Sequence, residues 1–194
     1  MSPTLLLIQE HDLIERLLEV TDERLTQLAR GRHPRRDVFQ DITRFFDIFA
    51  DGYHHHKEEQ ELFPLLMECG LPSDHGPIAA MLLEHCEARS LTEQFGRAAD
   101  RYAHGDNGTV HSLIYLGQAY IDLLSKHIQK ENNVLFNIAK RMLDEGDDLM
   151  LNKAFQRINE NVINVHPYES FFQLVCKLEA ELMHESQQAQ VERG

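Results

Sequence analysis

The strongest constraint on this chain is that it repeats itself. His54, Lys57, Glu58, Leu62 and Phe63 recur with the same offsets as His127, Lys130, Glu131, Leu135 and Phe136, 73 residues later. Glu10-His11 stands ahead of the first copy and Glu84-His85 ahead of the second, and these pairs are 74 residues apart. Such a register describes one helical hairpin written twice. Each hairpin brings a histidine from its first helix, then a histidine and a glutamate four residues apart from its second.

Apolar periodicity supports that reading along the chain. Pro3 suits a first helical turn, and Leu7, His11, Ile14, Leu18, Leu25 and Leu28 then mark one face of a helix ending near Gly31. A second helix is expected from about Asp37 to Cys69, with Ile42, Phe46, Ala50, His54, Glu58, Leu62 and Leu65 along one stripe. Gly70 to Pro77 reads as a connection, and Pro77 opens a third helix that buries Ile78, Met81, Leu82, His85, Phe95, Ala99 and Tyr102. After a turn at Gly105 to Gly108, a fourth helix carries Leu113, Leu116, Tyr120, Leu124, His127, Glu131, Leu135, Ile138 and Met142, and Gly146 closes it. Short connections between long helices predict an all-α, up-down-up-down four-helix bundle over residues 1–146. Residues 147–194 form a C-terminal extension of two shorter helical patterns divided at His166-Pro167. Phe155, Ile158 and Val162, then Phe171, Phe172, Val175, Leu178 and Leu182, must cover something. The outside of the bundle and a second copy, giving a homodimer, are both open.

Composition removes several classes of function. With 32 acidic against 19 basic residues and a formal charge of -13, the chain repels phosphate backbones and anionic membranes, so nucleic acid is not expected as a partner. The apolar stretch Leu5 to Ile8 stops at Gln9-Glu10, too short for a signal segment or a membrane span, and the expected location is cytoplasmic. Cys69, Cys86 and Cys176 are odd in number, widely spaced and outside any C-x-x-C arrangement. They fit a reducing compartment and offer no zinc-thiolate site; they read as small hydrophobic packers.

Residues four apart on a helix differ by about 40° in direction and about 6 Å in height. His54 with Glu58, and His127 with Glu131, therefore each aim one nitrogen and one oxygen donor at the bundle interior. With His11 and His85 the set becomes four imidazoles and two carboxylates. Burying it without compensation is very costly, and multivalent cations remove the objection. These donors suit iron or manganese, and two glutamates from opposite helices can bridge two ions that the histidines cap in pairs. Four H-x-x-x-E matches occur where chance predicts about one, and only two of them share flanking Lys, Leu and Phe. His55 with Glu59 is the register-shifted alternative, which alignment with His127 disfavours. Glu15 and Glu59 fit surface or supporting roles. Tyr120 shares the face of His127, where packing is the ordinary role and a phenol reaching the metal the sharper one. Glu181-x-x-His184 lies outside the bundle. His33, His75, His104, His111 and His166 read as exposed.

The run His54-His55-His56-Lys57-Glu58-Glu59-Gln60-Glu61-Leu62-Phe63-Pro64, followed by Gly76-Pro77-Ile78 and Glu84-His85, resembles the hemerythrin-like, or HHE cation-binding, family over roughly residues 5–145. The resemblance implies a four-helix bundle around two non-heme iron ions, oxo- or carboxylate-bridged. Such centres bind dioxygen or, in iron–sulfur cluster repair members, respond to nitric oxide and oxidative stress. Oxygen-carrying members use five histidines, one Glu and one Asp, and the four histidines and two glutamates here are nearer the repair type. The expectation is a di-iron centre at His11, His54, Glu58, His85, His127 and Glu131 that binds or senses dioxygen or nitric oxide. One rival is an enzyme that reduces peroxide or oxygen or supports cluster repair. The other is an interaction module that metal stabilises.

Overall fold

A computed structural model describes residues 2–161 and 167–191. Pro3 stands in the first turn of α1 (Pro3–Ala29), where its missing N–H is not needed, and Gly31, at φ 74°, takes the left-handed conformation that turns the chain away after it. Helix α2 is one continuous rod over residues 38–68, made of Val38–Phe45, the π-helical stretches Phe46–His55 and Glu58–Leu62, and Phe63–Glu68. Helix α3 is Gly76–Ala103. A 3₁₀ turn, Asn107–Thr109, leads into α4 over residues 110–142, built from Val110–Lys130, the π-helical Glu131–Leu135 and Phe136–Met142. Helices α5 (Glu145–Asn161) and α6 (Pro167–Val191) follow. No strand occurs among the described residues.

In both repeats a π-helical turn begins at the inward glutamate, Glu58 in one and Glu131 in the other. Wider turns of this kind concentrate at functional positions of helices, and here the repeat reproduces the irregularity along with the residues.

Helix α3 packs on α2 and α4, and α4 packs on α1. The core is split into two apolar blocks. One holds Leu13, Phe39, Phe46, Phe49, Phe95, Tyr120 and Leu124; the other holds Leu7, Leu62, Phe63, Met81, Leu135, Phe136 and Phe155. Each bundle helix crosses from one block to the other at or beside its candidate ligands: α1 between Leu7 and Leu13, α2 between Tyr53 and Leu62, α3 between Met81 and Ala88, and α4 between Ile128 and Leu135, just after His127 and across Glu131. A polar layer is thus clamped between two apolar ones, each large buried side chain adding about 1.5–3 kcal/mol. Close approach of α4 to α1 depends on Gly117, where a Cβ would lie 2.5 Å from Leu25 Cδ1.

Helix α4 stops at Met142, not at Gly146. The Asp144 carboxylate accepts from the backbone N–H of Gly146 (2.7 Å) and Asp147 (3.0 Å), and the Asp147 carboxylate accepts from Asp144 N–H (3.0 Å). This reciprocal cap places Gly146 in the first turn of α5. Helices α5 and α6, at 17 and 25 residues, are the two shorter helices expected after the bundle. Helix α6 lies on α1 and α2 of its own bundle, burying Phe171, Val175 and Leu178. Three arginines fasten it: Arg16 to Glu179 (2.7 Å), Arg24 to Glu185 (2.5 Å) and Arg35 to Glu181 (3.0 Å). Val162 and His166 lie outside the described residues.

Two of the cysteines depart from expectation. Cys69 and Cys86 are exposed, while Cys176 is half-buried beside Arg16. Among the described residues no helix is long and apolar enough to cross a membrane.

Candidate metal centre

The polar layer gathers all six expected side chains. His11, Glu58, His85 and Glu131 are fully buried, and His54 and His127 nearly so. Glu131 Oε2 lies 3.1 Å from His11 Nε2 and 3.3 Å from His127 Nε2, touching a histidine from each half. Glu58 does the same with His54 (3.7 Å) and His85 (3.5 Å).

Every imidazole is held from outside through Nδ1. His54 donates to Glu10 (2.9 Å) and His127 to Glu84 (3.0 Å), so the glutamate preceding each first-helix histidine serves the second-helix histidine of its own half. His85 donates to Glu59 (2.7 Å) and His11 to Asn132 (2.8 Å), so the residue after each inward glutamate serves the first-helix histidine of the other half. Lys57 and Lys130 complete the pattern by pairing with Glu10 and Glu84. These contacts fix the tautomer and turn each Nε2 inward.

A seventh side chain joins the layer. His55 is buried, donates Nδ1–H to Asp51 at 3.3 Å, and stacks on His85 with ring centroids 3.8 Å apart. Alignment of the two repeats favours His54 over it, since its counterpart in the second half is Ile128. Adjacent helical residues diverge by about 100°, and the site between the rods accommodates both: His54 meets α1, and His55 meets α3. Glu59 does not pair with His55 as the register-shifted alternative required; it supports His85. Tyr120 lies flat on Phe46, centroids 4.1 Å apart, in a packing role. Glu181 belongs to the arginine contacts of α6, and Glu15 is on the surface, as are His33, His75, His104 and His111.

The electrostatics are those of a site built for cations. Burial pushes the Glu58 carboxyl well above its usual range, and the nearby Glu131 adds to this. Glu131 feels the same burial, but His127 and His11 hold it well below. Burial draws His54 and His55 well below 6.5. It also lowers His85, whereas for His127 burial is outweighed by Glu131 and Glu84 and the value is raised. The Asp51 carboxylate overcomes its own burial through His55 and Arg89 and is held at about 2.

Nε2 of His11, His54 and His55 and all four carboxylate oxygens of Glu58 and Glu131 are buried without a hydrogen-bond partner. Leaving such an atom unsatisfied costs about 1–3 kcal/mol, more for a charged group. His85 Nε2 and His127 Nε2 face each other at 3.1 Å while both Nδ1 atoms are engaged outside. Convergent lone pairs on buried nitrogens and carboxylates fit multivalent cations, and nitrogen with carboxylate oxygen fits iron. The donors fall into two groups of four, His11, His54, Glu58, Glu131 and Glu58, His85, His127, Glu131, sharing both glutamates; His55 groups with His85 and His127.

Among curated proteins, the chain is 29% identical over 135 residues to the iron-sulfur cluster repair protein YtfE of Enterobacter sp. (strain 638), a match covering 68% of this chain and 61% of the relative. The same protein of Escherichia coli O1:K1 / APEC matches with the same identity and coverage. The chain thus spans about 61% of the length of these relatives. No solved structure matches it significantly. The family model of the hemerythrin HHE cation binding domain matches residues 2–139, which take in nearly all of the four bundle helices and the whole polar layer, and the chain belongs to that family.

Proposed function

We propose that this chain is a non-heme di-iron protein acting in iron–sulfur cluster repair. The observation that carries this reading is the inward turn of five imidazoles, each fixed through Nδ1, onto two buried carboxylates that have no other partner. His11 and His54 would serve one ion and His85 and His127 the other, with Glu58 and Glu131 belonging to both donor groups and His55 as an additional donor beside His85. Iron bound there supplies an exchangeable ion and a position for a small ligand. The protein's own part is to orient: Glu10, Glu84, Glu59, Asn132 and Asp51 hold the rings, and the apolar blocks on either side keep water from the layer. The relatives that match over the bundle are named for cluster repair. Three free thiols suit a reducing cytoplasm.

The test adds iron-loaded protein, under anaerobic conditions, to a dehydratase whose [4Fe–4S] cluster has been damaged with nitric oxide or peroxide. Recovery of dehydratase activity beyond that given by an equal amount of ferrous salt supports repair. Recovery no better than free salt contradicts it.

A second reading is reversible binding of dioxygen or nitric oxide. It is favoured by the first donor group, whose four protein ligands leave positions free on an iron ion. A stable, reversible optical spectrum with either gas supports it, and an unchanged spectrum counts against it.

A further inference from the structure

Lys57 and Lys130 occupy equivalent positions of the repeat and grip equivalent glutamates, yet their surroundings differ. The Lys57 side chain is 2% exposed and Lys130 is 49% exposed. Glu10 and Glu84 differ in the same sense, at 5% and 17%. What hides Lys57 comes partly from outside the repeat. Its ammonium lies 3.4 Å from the ring centroid of Tyr53 and 5.7 Å from that of Phe155 on α5. Tyr168 and Phe171 of α6 pack on Phe49, one helical turn before Tyr53. Among the described residues no ring stands over Lys130.

The supports around His85 and His55 are open as well. Asp51, which holds His55, is bound by Arg89, and Arg89 also binds Glu59, which holds His85. Arg89 is 38% exposed. Asp51 and Arg89 line a surface groove of about 480 Å³ between α2 and α3.

We propose that the C-terminal helices insulate one of two metal positions: α5 and α6 seal the support of His54, so the position served by His11 and His54 retains its ion. The position served by His85 and His127 is the one that exchanges. This rests on the di-iron reading. A metal ion leaves a site when water and protons displace its ligands, and that displacement begins at the groups holding the ligands in place. Around His127 and His85 those groups reach solvent through Lys130 and Arg89. Around His54 they end beneath Phe155 and Tyr53. The extension lies outside the residues matched by the family model, which end at 139.

The experiment loads the full chain with two equivalents of ferrous iron, adds excess ferrozine under anaerobic conditions and follows the ferrous complex optically. Release is expected in two phases of equal amplitude. Phe155→Ala is expected to speed the slow phase by about tenfold and leave the fast one unaltered, and Glu84→Gln to speed only the fast one. Phe155→Leu keeps an apolar side chain while removing the ring over Lys57, and is expected to act in the same direction should the alanine variant fold poorly. A single phase from protein carrying two ions overturns this inference and leaves the di-iron reading intact. So does a slow phase unmoved in a folded Phe155 variant, or one moved by Glu84→Gln. Fewer than two ions bound overturns the di-iron reading, and this inference with it.

Discussion

Glu131 and His11 meet at 3.1 Å from opposite halves of a duplicated chain. Glu58 and His85 repeat the crossing in the other direction at 3.5 Å. Neither hairpin holds a complete donor group, because each inward glutamate completes the set of the other half. The centre exists only where the halves dock, and the two apolar blocks that flank it are what dock them.

Glu58 is costly to the metal-free fold, since burial and Glu131 both oppose its ionised form and neither oxygen has a hydrogen-bond partner. Glu58→Leu removes that burden, and chemical denaturation of the metal-free protein should show a gain of about 1–3 kcal/mol. The same variant should fail to hold two ions. A variant that loses stability without metal would show that the carboxylate has structural partners of its own.

His127 carries the sign of the pH dependence. Its value is raised above 6.5 by Glu131 and Glu84 against the effect of burial. In the metal-free protein its contribution to stability is therefore fully present below the unfolded value of about 6.5 and is lost as pH rises through the raised folded value. Iron needs the neutral ring, so uptake should fall as pH drops through that same raised value. Titration of the metal-free protein by NMR should place His127 above 6.5, and Glu84→Gln should lower it. Titration at or below 6.5 counts against the assigned contacts.

Gly117 lets α4 lie against α1. A Cβ there meets Leu25 Cδ1 at 2.5 Å and Phe95 at 3.1 Å, within a packed core. Alanine would ordinarily favour a helix by about 1 kcal/mol, but the overpacking costs about 1–3 kcal/mol. Gly117→Ala should lower the melting temperature, and an increase would mean that the helices can part without penalty.

Arg24 is completely buried and holds α6 through Glu185 at 2.5 Å and Glu181 at 3.6 Å, with Gln27 bound at 3.0 Å. Charged hydrogen bonds of this type contribute about 1.5–3 kcal/mol. Arg24→Met should make α6 the first segment cut by limited proteolysis while the bundle core stays resistant. Unchanged cleavage would show that Phe171, Val175 and Leu178 hold the helix alone.

The repeat made the bundle legible, because it shows both in the ligands and in the three-and-four spacing around them. It also carried the six inward side chains to a common layer, since each helix brings its donors between two apolar runs. His55 was set below His54 by the same device: the repeat gives Ile128 as its partner, and no pairwise comparison can favour a donor that one half lacks. The π-helical turns at Glu58 and Glu131 were illegible for a different reason, as they depend on packing around a polar layer and not on local propensity. Gly146 misled because a glycine can end one helix or sit in the first turn of the next, and here the Asp144–Asp147 cap decides. The exposed Cys69 and Cys86 show that composition alone does not place a thiol.

The most direct test of the central claim is the metal content of the purified chain reconstituted with ferrous iron, measured together with its Mössbauer spectrum. The account predicts two iron ions per chain, coupled to one another, and a fall below that content when Glu58 and Glu131 are both replaced by alanine. One ion per chain, two uncoupled ions, or full loading of the double variant would contradict it.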